Sequence, residues 1–122
     1  MPRFVVLFHE TPSGYARGDH YDLMLERGGV LCTWAFDALP QAGEPIVAER
    51  LPDHRLAYLN YEGDVSAGRG RVRRVDSGDY DLPSEAELEW TVELHGQTLR
   101  GTLTLTKLPG EPQRWRVALG RA

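Results

Sequence analysis

The chain of 122 residues is long enough for one compact domain and too short for two full ones. With 41% hydrophobic and 26% charged residues it has the composition of a soluble globular protein, which excludes disorder as its main state. A net charge of −4, from 14 Lys+Arg against 18 Asp+Glu, argues against a general polyanion-coating protein and leaves room for a local basic site.

In chain order the pattern is strand and turn nearly throughout. Met1-Pro2-Arg3 followed by the apolar run Phe4 to Phe8 predicts a short buried strand. The run is too short for a signal peptide and has no small-residue cleavage site after it. No apolar stretch reaches the roughly 20 residues of a membrane span, so the expectation is a cytoplasmic protein with no membrane partner. His20 to Glu26 alternates, Arg27-Gly28-Gly29 reads as a hairpin turn, and Val30 to Phe36 returns as the partner strand. The lone Cys32 falls in that strand as a buried structural thiol, and it excludes an internal disulfide framework.

Asp37 to Pro45 reads as a loop, Ile46 to Arg50 as a short strand, and Gly63 to Gly70 as a glycine-punctuated loop. Arg71 to Asp76 is expected as a strand, Ser77-Gly78-Asp79 as a turn, and Pro83 to Glu87 as a single helical turn. In the last third, Leu88, Trp90, Val92 and Leu94, then Leu99, Leu103 and Leu105, then Trp115, Val117 and Leu119 alternate with polar residues. Three such patterns in succession predict an antiparallel meander over one core, with Trp34, Trp90 and Trp115 inside it. The fold class is therefore mainly β, a single-domain antiparallel barrel or sandwich with little helix over residues 1–122.

Histidines are few, at positions 9, 20, 54 and 95. On an extended strand His20 and Asp22 share a face with Met24 and stand about 6–7 Å apart. If the strand ending at His9 neighbours them, His9, His20 and Asp22 form a facial two-histidine, one-carboxylate set suited to Mn²⁺, Fe²⁺ or Zn²⁺. The same residues also fit the wet face of a half-buried sheet. His54 and Tyr58, four apart, are candidates for holding a phosphate or relaying a proton, or are ordinary surface polars. On a continuous strand Arg69, Arg71 and Arg73 share a face that can track a nucleic-acid backbone, or that guards an edge strand with charge. His95 reads as a surface turn residue.

Four segments occur together: H-Y-D-x-x-L-E from His20, G-V-L-x-x-W-A from Gly29, D-H-x-L-x-Y-x-x-Y-E-G from Asp53, and E-L-H-G-x-x-L-x-G from Glu93. In this order they resemble the 3′-phosphoesterase domain of bacterial DNA ligase D over essentially the whole chain. The resemblance implies an antiparallel β-barrel that uses a divalent metal, typically manganese, to remove a terminal ribonucleoside and then a 3′-phosphate. The product is a 3′-OH ready for sealing. It implies His9, His20 and Asp22 as metal ligands, His54 against the scissile phosphate, and Tyr58 beside it. It implies nucleic-acid 3′ ends as the partner, with a DNA ligase or polymerase supplied in trans.

This sequence departs from the family at its phosphate-binding positions. Met24 stands where the family has Arg, Leu7 where it has Gln, and Ala38 near a family Lys. The His9 to His20 loop is longer, and the glycine loop reads Ser66-Ala67-Gly68-Arg69-Gly70 without the family's Tyr. These departures leave three readings open: an enzyme of reduced or altered activity, a non-catalytic end-binding or repair-partner module, or a phosphoesterase of a small phosphate ester.

Overall fold

The computed structural model describes residues 2–15 and 17–120, and its strands in chain order are β1 (Arg3–Glu10), β2 (His20–Arg27), β3 (Val30–Phe36), β4 (Ile46–His54), β5 (Gly63–Asp64), β6 (Arg71–Glu85), β7 (Glu89–Gly96), β8 (Arg100–Lys107) and β9 (Arg114–Leu119). A 3₁₀ turn at Leu56–Leu59 is the one helical element among the described residues. Eight strands pair antiparallel in the order β1-β2-β3-β4-β9-β8-β7-β6, and β1 pairs with β6 to close the barrel. The two residues of β5 lie along the start of β6.

The expected β2–β3 hairpin forms with Arg27 opposite Val30. Its two loop residues, Gly28 and Gly29, have φ of 63° and 84°, the left-handed pair that a tight hairpin of this twist requires.

Two expectations fail along β6. Ser77-Gly78-Asp79 is not a turn, and Pro83 to Glu87 is not helical; the strand runs through to Glu85. Gly78 lies opposite Gly96, where an added Cβ would stand 2.2 Å from the His95 carbonyl oxygen, so the glycine serves a close strand approach and not a reversal. Pro83 sits in a register shift between Asp81 and Ser84, a position that needs no ladder donor. Leu88, expected on the apolar face, falls in the β6–β7 connection and is 60% exposed.

Alternation along the strands produces two apolar clusters. One takes residues from all eight barrel strands, including Phe4, Leu23, Trp34, Ala48, Tyr80, Val92, Leu105 and Val117, and therefore fills the barrel interior. Trp90 and Trp115 meet Trp34 edge-on at 5.3 and 5.7 Å, and the Arg50 guanidinium lies 4.4 Å from the Trp34 ring centroid. Cys32 is buried here, and burial pushes its thiol pKa up, which fits an inert structural role.

The second cluster takes the alternate residues of the first strands: Val5 and Leu7 from β1, Met24 from β2, Leu31 from β3 and Val72 from β6. These face outward from the barrel and are covered by Leu59 of the 3₁₀ turn, Val65 and Tyr58. The β1–β2 wall is thus apolar on both faces, which explains the unbroken runs Phe4 to Leu7 and Leu23 to Leu25.

Candidate metal centre

The antiparallel register sets His9 directly opposite His20, and Leu7 opposite Asp22. Because side chains alternate, His9, His20, Asp22 and Met24 emerge on the outward face, away from the tryptophans. His9, His20 and Asp22 each offer one ligand atom, and these atoms lie within 4.8 Å of one another, close enough to share one ion. His20 and Asp22 are 3% and 2% exposed.

The hydrogen bonds fix which nitrogen each imidazole presents. His20 donates Nδ1–H to the Gly18 carbonyl at 2.8 Å, leaving the Nε2 lone pair toward the carboxylate. His9 donates Nε2–H to the Arg69 carbonyl at 2.6 Å, leaving Nδ1 4.0 Å from Asp22 Oδ2. Asp22 Oδ1 lies 3.2 Å from His20 Nε2, yet it is buried without a hydrogen-bond donor. Lone pairs that face each other in a buried space call for a cation between them. Histidines pinned to backbone carbonyls through their far nitrogens are the ordinary outer support of a metal site. Two imidazoles and one carboxylate suit Mn²⁺, Fe²⁺ or Zn²⁺. Burial pulls the His20 pKa down, but the adjacent Asp22 and the Gly18 carbonyl outweigh it and the net shift is upward.

The cluster opens into a cleft of about 580 Å³. His54, at the end of β4, and Tyr58, in the 3₁₀ turn, both line it, with their rings edge-on at 5.8 Å. His54 donates Nδ1–H to the Pro52 carbonyl at 2.9 Å, which leaves Nε2 for a ligand. Met24 and Val72 make part of the wall apolar. Three arginines line the same space, Arg17, Arg55 and Arg69. Arg17 is tied to Glu49 and lies 3.8 Å from Asp37. Arg69 hydrogen-bonds Ser66, and among the described residues neither Arg55 nor Arg69 pairs with a carboxylate.

The expected arginine stripe is split. Gly70, with φ of 96°, breaks the chain direction between Arg69 and β6, so strand alternation does not extend back to Arg69. Arg71 and Arg73 alternate with Val72 and therefore face away from the cleft; Arg71 pairs with Asp64 at 3.3 Å and Arg73 lies 5.3 Å from the Phe8 ring centroid. Sequence reasoning also passed over Tyr15, whose ring is 6.0 Å from that of His9, and Arg55, which adjoins His54.

Residues 13–107 match the family of the DNA Ligase D 3′-phosphoesterase domain. The chain belongs to that family. It is 37% identical over 112 residues to the multifunctional non-homologous end joining protein LigD of Mycobacterium bovis, a match covering 83% of this chain and 14% of the relative. It is 33% identical over 125 residues to the corresponding protein of Mycolicibacterium smegmatis, with 89% and 16% covered. The chain therefore spans about one seventh of the length of these relatives. His20, Asp22, His54 and Tyr58 fall inside the stretch matched to the DNA ligase D family, and His9 is brought to it by β1. At the positions where this chain departs from the family pattern, Leu7 and Met24 are fully buried in the outward cluster, and Met24 reaches the cleft.

Proposed function

We propose that the protein is a metal-dependent phosphoesterase acting on nucleic-acid 3′ ends in DNA repair. The observation that carries this reading is the buried, donor-less Asp22 Oδ1 facing His20 Nε2 in a cleft that also holds His54 and Arg69. Family membership and the names of the relatives, which speak of non-homologous end joining, support it.

His9 Nδ1, His20 Nε2 and an Asp22 oxygen would hold the ion, the other nitrogen of each imidazole being engaged by a backbone carbonyl. The chemistry that such a site would supply with a divalent ion bound, Mn²⁺ first and Zn²⁺ or Fe²⁺ as alternatives, is Lewis-acid polarisation of a phosphoryl oxygen and acidification of a water. His54 presents Nε2 to the phosphoryl group and, when protonated, gives its proton to the leaving oxygen. Tyr58 packs against the outward cluster and holds the His54 ring edge-on. Arg69 takes the phosphate-contacting role, as a residue that lines the cleft and has no carboxylate partner among the described residues. Arg71 and Arg73, on the opposite face, are left to nucleic-acid backbone beyond the cleft. Sealing of the trimmed end is left to a ligase activity, and filling to a polymerase activity.

The direct test is incubation with Mn²⁺ and a primer-template ending in a 3′-phosphate or a single 3′-ribonucleotide. Conversion to a 3′-OH by the wild type and loss of conversion in His54→Ala are expected; no conversion of either substrate overturns the catalytic reading. Met24 favours the second reading, an end-binding module with little turnover, because a thioether brings no charge to phosphate. Met24→Arg separates the two: a rate increase on the 3′-phosphate substrate shows a catalytic site lacking only its clamp, whereas tight binding with no turnover in either form supports the binding module.

A further inference from the structure

The turn Val65–Gly70 has an unusual build for a surface loop. It is closed by the Val65 N–H donating to the Gly70 carbonyl at 2.7 Å, and it passes through three left-handed residues, Ala67 (φ 60°), Gly68 (φ 68°) and Gly70 (φ 96°). Ala67 is the one non-glycine residue with positive φ among the described residues. Gly70 has no room for a side chain: an added Cβ would stand 2.0 Å from the Glu10 carbonyl oxygen, next to His9 in β1. The Arg69 guanidinium clips the turn from within, donating Nε–H to the Ser66 carbonyl at 2.9 Å and bonding Ser66 Oγ at 3.0 Å. The result of this winding is that the Arg69 carbonyl points at His9 Nε2, 2.6 Å away.

We propose that the Val65–Gly70 turn is a positioning element for the metal centre, and that the Arg69 backbone carbonyl selects the His9 nitrogen that binds the ion. The inference rests on the reading of His9 as a ligand. The carbonyl in question belongs to the peptide whose nitrogen is that of Gly70, so the left-handed φ of Gly70 sets the plane of the peptide that holds the imidazole. With Nε2–H engaged there, Nδ1 is left as the only lone pair on His9 and faces Asp22. His20 is held the opposite way, through Nδ1, and presents Nε2. The two imidazoles across the β1–β2 pair thus offer different nitrogens, which lets rings in direct cross-strand register, with centroids 5.0 Å apart, converge on one point.

Two measurements test this. In the wild-type protein, long-range ¹⁵N–¹H NMR of the histidine rings is expected to show His9 as the Nε2–H tautomer; an Nδ1–H tautomer overturns the proposal and does not depend on any variant folding. Calorimetric titration with Mn²⁺ alone is then compared across wild type, Gly70→Ala and His20→Ala. The expected result is about a tenfold loss of affinity in Gly70→Ala with the far-UV spectrum unchanged, and no binding in His20→Ala, in keeping with the 10–100-fold effect of outer support on metal affinity. Full Mn²⁺ affinity in a folded Gly70→Ala overturns the positioning role and leaves the metal centre standing. Absence of binding in the wild type overturns the metal centre itself, and the proposal with it.

Discussion

Asp22 carries a conflict between stability and chemistry. Its Oδ1 is buried 3.2 Å from His20 Nε2 with no other donor, so whenever His20 is neutral the metal-free fold bears the cost of an unsatisfied carboxylate, about 1–3 kcal/mol. Asp22→Asn places an N–H donor where the lone pair waits. In a chelator the variant is expected to melt a few °C above the wild type, while the added stability that Mn²⁺ gives the wild type is lost. A lower melting temperature for Asp22→Asn in chelator would show that the carboxylate is satisfied in a way the geometry does not reveal. The pairing of His20 with Asp22 was legible in the sequence because strand period two puts them on one face. The third member of the cluster, His9, was legible only on the assumption that its strand is the neighbour of β2, and the register does set His9 opposite His20.

At the scale of elements, the residue that sequence reading missed most completely is Asp76. It lies in the middle of β6 and is 5% exposed, and its carboxylate accepts backbone N–H groups from Ser77, Gln97, Thr98 and Leu99 at 2.6–3.2 Å. One side chain therefore ties the β7–β8 connection to β6. Gly96 leaves it the space, since a Cβ there would stand 2.4 Å from Asp76 Oδ2. Asp76→Ala strands several partly or fully buried donors and is expected to cost about 3 kcal/mol, read as a lower urea midpoint at unchanged slope. A loss below about 1 kcal/mol would mean that water or a rearranged turn replaces the carboxylate. In the sequence Asp76 closes an expected strand, just before Ser77-Gly78-Asp79, which has the composition of a surface reversal. Nothing local distinguishes a turn aspartate from one that caps a distant hairpin, because the donors arrive from about twenty residues further on. The arginine stripe failed for a related reason: period two holds only inside a strand, and Gly70 separates Arg69 from the strand that begins at Arg71. The meander Glu89–Leu119 was plain from its alternation, whose apolar rows need no long-range information.

For the whole molecule, closure of β6 onto β1 leaves the interior sealed enough to hold a phenol out of water. Tyr80, fully buried, donates its hydroxyl to the Glu26 carbonyl at 2.6 Å, and burial pushes its pKa up to about 12. The folded protein thus keeps that proton to a higher pH than the unfolded chain does. This contribution to stability is intact below pH of about 10 and disappears as the pH climbs toward 12. Absorbance at alkaline pH should show one of the five tyrosines ionising late, together with loss of the fold. Ionisation of all five in a single step near the ordinary value would contradict a sealed interior. The wall formed by β1 and β2 has a different consequence, on the timescale of amide exchange. Its core residues Val5 to Leu7 and Leu23 to Leu25 are shielded on both faces, so their amide protons should exchange with deuterium only through global unfolding. The exposed residues of the Leu56–Gly70 cover, anchored by few apolar side chains, should exchange through local openings many times faster. The His9, His20 and Asp22 cluster would then border the slowest-breathing part of the molecule, with one of its fastest beside the cleft above it.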